Sequence, residues 1–252
     1  MPIGMMLRMS EIMDCTEEDI EVDYFGLNHY GWFTDVRIKG KSVTEELKKY
    51  LSVHGLVTPK QSKDPQHADA GWLKTHKNIA KLLQLSNEYI PNSYLQYYQI
   101  PNTVVEQTDH MYTRTNMVQD NREKKLFDSI KKYKETGKFE EGFIIGVHGT
   151  FIVDIVNAIV NDTRDRMIMI VKNNGAIPNL DPDVMVEIPE YITSRGLEPV
   201  SLEPISDFYK GMIEQQVRSE KLLVDGYLHR DYDLLLKSFM LNKTIPSSEI
   251  AK

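Results

Sequence analysis

The chain has 252 residues, 41% of them apolar and 27% charged, with 37 acidic against 30 basic side chains and a formal net charge of -7 at pH 7. That length and apolar content suffice for a sizeable buried core, while interspersed charges leave no basic face, which excludes an extended nucleic-acid partner. A single cysteine, Cys15, excludes an internal disulfide framework and a thiolate metal cage, and no run of about 18 apolar residues exists to span a membrane, so a cytoplasmic protein is expected.

The start, MPIGMMLRMSEIM, is interrupted by Arg8 and Glu11 and lacks a small-residue cleavage site. It reads as an amphipathic helix over 3–13, with Ile3, Leu7 and Met6 or Met9 near one face, rather than as a signal peptide. From Ile20 the strand formers Val22, Tyr24, Trp32, Phe33, Val36 and Ile38, with the turn Lys39-Gly40-Lys41, predict an antiparallel hairpin over about 21–44. Within it, FGLNHYGWFTD (residues 25–35) sets Asn28 and His29 between two glycines, which suggests a bend needing unusual dihedrals or close approach of a ligand to the backbone.

Helices are predicted over 44–54 and about 66–88, and Ser93 caps a short helix that puts Tyr94 and Tyr98 on one face. A charged helix over 110–135 turns Leu126, Phe127, Ile130 and Tyr133 inward. The 3, 4 spacing of Ile152, Ile155, Val156 and Ile159 predicts a helix over 150–161 packed on the core. RMIMIVKNNG reads as a buried strand leaving through Asn173-Asn174-Gly175 into a turn, VMVEIPEYI as a second strand, and 207–230 and 232–242 as helices. The predicted class is α+β, a single domain over 1–252 with antiparallel or mixed strand pairing.

Neither GxGxxG nor GxxxxGK[ST] occurs, so the sequence carries no dinucleotide or triphosphate fingerprint of its own. HExxH, a legible Ser-His-Asp order and a distinctive carboxylate pair are also absent. His29 reads either as a satisfied structural histidine or as a metal ligand, and Asn28 beside it can orient a sugar hydroxyl or a metal-bound water. Tyr94 is either part of an aromatic packing face or a general base; the second role needs a nearby cation, because a phenol ordinarily titrates near pH 10. Arg114 is either a solvated helix residue or a bidentate contact to a phosphate dianion. His148 suits a structural or capping role as readily as a catalytic one.

In order and spacing, GLNHYGW, NSYLQYY, MYTRTNMVQDNRE, NNGAIPNLDP with MVEIPEYI, and MIEQQVRSEKLLVDGY resemble the second half of glycoside hydrolase family 4 over nearly the whole chain. The pairing of NHYGWFT with NSYLQYY is most similar to the family's 6-phospho-α-glucosidases. The resemblance implies a lactate/malate dehydrogenase-like C-terminal domain with a mixed or antiparallel sheet and several long helices, without the N-terminal Rossmann domain. It also implies NAD, a divalent metal, usually manganese, and a phosphorylated disaccharide cleaved by redox elimination: oxidation at C3, removal of the C2 proton by a tyrosine, loss of the glycosidic oxygen, and return of the hydride.

Carried over by position, Tyr94 resembles the base, His29 the histidine metal ligand, Arg114 the arginine at the phosphorylated sugar, and Asn28 a substrate contact; no residue here corresponds to the NAD site. The family's cysteine ligand lies in a Cys-Asp/Asn-x-Pro motif whose end alone is matched by Met1-Pro2, and Cys15, after the first helix, does not replace it. The resulting expectation is the C-terminal portion of an enzyme, inactive alone, forming a dimer or tetramer or pairing with a Rossmann-domain chain. The alternatives are a non-catalytic remnant acting through association, 6-phospho-β-glucosidase specificity, and a lactate- or malate-dehydrogenase-like catalytic domain, which would not need the tyrosine of NSYLQYY.

Overall fold

The computed structural model describes residues 2–59, 70–138 and 147–252; the beginning of the helix expected from about 66, and the side chain of His148, lie outside the described residues. The chain divides into two compact units, one of Met1–Pro101, Arg166–Tyr191 and Leu197–Lys252, the other of Asn102–Asp165 and Ile192–Gly196.

The first unit begins with α1 (Pro2–Ile12), followed by β1 (Ile20–Leu27), β2 (Tyr30–Ile38), β3 (Lys41–Ser42), α2 (Thr44–His54), α3 (Ala70–Leu85) and β4 (Ile90–Pro91). β1 and β2 pair antiparallel from Ile20↔Ile38 to Leu27↔Tyr30, with a bulge at Asp23/Tyr24. β2 also pairs antiparallel with β3 and, through Trp32↔Pro91 and Phe33↔Ile90, with β4. The antiparallel expectation therefore holds for this sheet. Beyond the bulge both faces of the hairpin are covered: Tyr24, Phe25, Tyr30, Trp32 and Phe33 are all buried. Phe25 stacks on Trp32 at 5.5 Å between centroids, and Tyr209 meets Trp32 edge-on at 5.0 Å. Each such ring contributes about 1.5–3 kcal/mol of hydrophobic stabilisation. Trp32 is thus a core residue, whatever its nearness to His29 in sequence.

The buried face of α1 is Pro2, Met5, Met9 and Ser10, one register away from the expected row through Ile3 and Leu7. Methionine occurs on both rows, so composition could not choose between them. After β4 come a short 3₁₀ turn (Ser93–Leu95), α4 (Gln96–Gln99) and α5 (Pro101–Gln107).

In the second unit, α6 runs over Arg114–Thr136, closed at its start by a Thr113/Asn116 capping box and at its end by Gly137 with φ of 68°. Leu126, Phe127 and Tyr133, expected to point inward, are exposed, and Ser129 is buried instead. α7 (Val147–Asn161) forms as the spacing predicts, but Ile152, Val156 and Ile159 are 63%, 55% and 45% exposed and Ala158 is the buried residue. Spacing identifies an apolar face; it does not say that anything covers it.

A second sheet has the order β5 (Asp165–Lys172), β6 (Met185–Thr193), β7 (Gly196–Pro199). Central β6 is buried from Val186 to Glu190, whereas edge strand β5 buries only Ile168, so RMIMIVKNNG is half covered rather than buried throughout. Asn173, fully buried, turns the chain after β5 by donating to the carbonyls of Ile177 and Leu180, each at 3.1 Å, while its Oδ1 accepts from Ile177 N at 2.7 Å. That is a complete loop-building role. The last elements are α8 (Asp207–His229), α9 (Tyr232–Leu241) and α10 (Ser248–Ala251). Ser219 and Ser238 tie α8 to α9 by reciprocal hydroxyl-to-carbonyl bonds of 2.9 and 2.7 Å. Among the described residues no helix is long and apolar enough to cross a membrane.

Candidate active site

The β1–β2 connection is two residues long, and those residues are Asn28 and His29. His29 has φ of 66°, a left-handed conformation that costs a residue with a Cβ about 1–2 kcal/mol. The glycines on either side, Gly26 and Gly31, face each other across the strands. A Cβ on Gly31 would meet the Tyr24 hydroxyl and lie 2.6 Å from the Phe25 carbonyl oxygen, and one on Gly26 would run into the Gly31 backbone. Unusual dihedrals thus fall on the histidine and on Gly26, whose φ is 157°. Both glycines also let the protein pack closely on itself.

Opposite the hairpin tip, Asn92 organises the segment that carries Tyr94. Its N–H donates to Gly31 O at 2.9 Å, which fastens it to β2. Its Oδ1 accepts from Tyr94 N at 3.0 Å, capping the 3₁₀ turn, and its Nδ2 donates to the Tyr24 hydroxyl at 3.0 Å. The cap is therefore Asn92 and not Ser93. Both residue types favour caps, and the one preceding Ser93 is aligned because β4 ends beside it. Met5 Sδ accepts from Ser93 N at 3.3 Å, which holds α1 against the same turn.

These two anchored pieces bring His29 and Tyr94 together. Their rings stack with 4.2 Å between centroids and 6° between planes. Both side chains are half-buried, and Asn28 is exposed beside them. Because imidazole lone pairs lie in the ring plane and the phenol oxygen lies in its own, nearly parallel planes let the two groups address one ligand side by side rather than each other. Burial lowers the His29 pKa, so its imidazole is neutral at pH 7 and keeps a lone pair for a metal or a donor. Tyr98 packs edge-on against Tyr30, the residue after His29, so both tyrosines face the hairpin tip as the helical spacing suggested.

More rings surround Tyr94. Trp72 on α3 meets it edge-on at 6.2 Å and Tyr97 lies 5.9 Å away. Trp72 in turn stacks on His76, which is buried with its Nδ1 lacking a partner and its pKa lowered to about 4, first by burial and then by the Arg8 charge. Gln96 links these pieces, accepting from Asn78 Nδ2 at 2.8 Å and donating to Thr75 Oγ1 at 3.1 Å.

Arg114 is the first residue of α6, exposed, and belongs to the second unit. Among the described residues no group of three or more His, Cys, Asp or Glu side chains could hold a metal ion, so His29 offers one donor and not a complete site. Residues that the sequence did not single out, Asn92 and Tyr24, hold the pair in place. The signal was there: an asparagine between a proline and a polar-aromatic run, and a tyrosine on the strand that pairs with the one carrying Gly31.

The model of the family 4 glycosyl hydrolase C-terminal domain matches residues 24–245. Maltose-6'-phosphate glucosidase of Fusobacterium mortiferum is 41% identical over 256 residues, covering 100% of this chain and 57% of that protein. A crystal structure of a 6-phospho-α-glucosidase from gut microorganisms, in complex with NAD and glucose-6-phosphate, superposes with a TM-score of 0.93 at 45% identity, covering 99% of this chain and 57% of that one. Another 6-phospho-α-glucosidase from gut microorganisms, in complex with NAD and Mn2+, gives a TM-score of 0.88 at 33% identity, with 99% and 56% covered. The chain thus spans a little over half the length of the proteins it matches.

Proposed function

The chain belongs to glycosyl hydrolase family 4, matching its C-terminal domain, and we propose on that footing that it serves an NAD- and manganese-dependent 6-phospho-α-glucosidase acting on phosphorylated disaccharides. The observation that carries this reading is the His29–Tyr94 stack, which pairs a neutral imidazole with a phenol across two separate segments. Tyr94 would take the C2 proton of the sugar, His29 would give one donor to manganese, Asn28 would bind a sugar hydroxyl, and Arg114 would bind the 6-phosphate through its planar fork of donors. The bound metal would supply positive charge that makes a phenol usable as a base near neutrality.

The specificity for α-linked substrates is supported by the names of relatives 41% to 45% identical; 6-phospho-β-glucosidase specificity is the alternative. Because the sequence has no glycine-rich dinucleotide loop, the 252 residues are expected to be inactive until joined by the portion of the family's length that they do not span. The test is hydrolysis of p-nitrophenyl 6-phospho-α-glucoside with NAD, manganese and reductant, with and without the remaining portion of a relative's chain. Turnover only in the joined sample is expected. Turnover by the 252 residues alone would refute the inactivity claim, and exclusive turnover of the β-linked analogue would refute the linkage assignment.

A second reading, association with a partner chain or a second copy, is supported by the exposed apolar residues of α7 in the second unit, Ile152, Val153, Val156 and Val160. Sedimentation distinguishes it: a monomer at all concentrations would exclude self-association.

A further inference from the structure

We propose that Trp72 is the stacking platform for the leaving sugar, and so the residue that favours a second pyranose on the glycosidic oxygen over a simple alkyl group. Trp72 lies on α3 and is 37% exposed, although full burial of an indole would stabilise the chain further. Its ring meets that of Tyr94 at 6.2 Å and 79°, whereas His29 lies parallel to Tyr94 at 4.2 Å and 6°. His29 therefore covers one face of the phenol, and the indole stands nearly at right angles to that stack as a side wall. Tyr97, 5.9 Å from Tyr94 and tilted by 41°, offers a smaller surface.

The wall is braced from behind. His76, 5% exposed, stacks on Trp72 at 5.9 Å and 23°. The His76 carbonyl accepts from Leu56 N at 2.9 Å, and a Cβ on Gly55 would run into that same carbonyl. Gln96, two residues after Tyr94, accepts from Asn78 and donates to Thr75, so the turn with the phenol and the helix with the indole are tied together. A ligand ring can reach the indole only from the side that His76 leaves uncovered. On the reading of Tyr94 as the base, on which this inference rests, the proton comes from C2 and the glycosidic oxygen sits on C1, the neighbouring carbon. The leaving group is thus held beside Tyr94. A pyranose presents apolar C–H groups on its ring faces and hydroxyls around its rim. The negative face of an indole attracts the first and lets the second stay hydrated. The 6-phosphate needs charged donors, which an indole face does not supply, so Trp72 acts on the leaving group alone.

The test is binding by isothermal titration calorimetry in the joined sample, with manganese and without NAD so that no turnover intervenes. The probes are maltose 6'-phosphate, which carries the second ring, and methyl 6-phospho-α-glucoside, which does not. In Trp72→Leu the dissociation constant for maltose 6'-phosphate is expected to rise about tenfold, while that for the methyl glycoside stays within about twofold. Trp72→Phe keeps a smaller ring and should lose about threefold for the disaccharide only. An unchanged disaccharide constant in Trp72→Leu would overturn the proposal, as would equal weakening of both probes, the mark of a residue that merely supports Tyr94. Should Trp72→Leu not fold, Trp72→Phe decides alone: equal loss for the two probes, or none, overturns it. A parent that binds neither probe sinks the glycosidase reading and this inference with it. A parent that binds both, with a variant that keeps their ratio, sinks the inference only.

Discussion

The imidazole of His29 lies flat against the phenol ring of Tyr94, 4.2 Å between centroids, with one residue on a strained hairpin turn and the other on a capped 3₁₀ turn. Each is fixed by neighbours that touch neither ring, Gly26 and Gly31 on one side and Asn92 on the other. The pair is thus preorganised by the sheet, and its parts are separable by substitution.

Tyr94→Phe keeps the ring and removes the oxygen. In a sample with turnover, kcat for the 6-phospho-α-glucoside should fall by about 10²- to 10⁴-fold, the usual contribution of a general base. The circular dichroism spectrum and melting midpoint should stay close to those of the parent. Retained turnover would remove Tyr94 from the mechanism.

At position 29, strain and stacking pull in opposite directions. His29→Ala loses the ring contact and keeps the costly left-handed backbone, whereas His29→Gly loses the contact and relieves the strain. The glycine variant should therefore be more stable than the alanine variant by about 1 kcal/mol in urea titrations. Manganese affinity, read by isothermal titration in the joined sample, should fall in both.

Gly31→Ala forces a methyl group into the Tyr24 phenol and against the Phe25 carbonyl. Overpacking against backbone cannot relax by a rotamer change, so a loss of about 3 kcal/mol is expected, seen as a lowered denaturant midpoint. A neutral result would mean that the hairpin tip is looser than its register implies.

Glu190 is fully buried and both its carboxyl oxygens lack partners, and burial raises its pKa from 4.5 to about 7. A raised carboxyl binds its proton more tightly in the folded state, so its cost is absent below pH 4.5, grows from there to pH 7, and is complete above. His76 runs the other way: lowered from 6.5 to about 4, it costs stability below pH 4 and none above pH 6.5. Glu190→Gln isolates the first effect. It should stabilise the chain by on the order of 2 kcal/mol at pH 8 and change little at pH 4.5, measured as urea midpoints at both values.

Arg114→Lys replaces a planar fork by a point charge. If Arg114 holds the phosphate, glucose 6-phosphate affinity in the joined sample should fall about tenfold, and glucose affinity should not change.

Much of the backbone was legible in the residues themselves. α2 runs over Thr44–His54 as predicted, and the hairpin and the α8–α9 pair follow their periodicity closely. Local pattern decides these elements because both their faces and their ends are written nearby. What failed was non-local. The exposed rows on α6 and α7 are apolar at helical spacing, and nothing in the spacing of Ile152, Val156 and Ile159 says what lies opposite. The stack itself came from the resemblance, since no rule of spacing links a turn at His29 to a turn at Tyr94. Asn92 is harder to read from sequence, because its importance lies in a strand pairing, Trp32↔Pro91, that delivers it to Tyr24.

The chain has two tryptophans, one sealed in the core at position 32 and one 37% exposed at position 72 beside the Tyr94 ring. Intrinsic emission therefore comes from a shielded indole and an accessible one. Acrylamide would quench the second first, and a sugar phosphate settling over Tyr94 would show itself as protection of that fraction alone, giving an optical report of occupancy that does not depend on turnover.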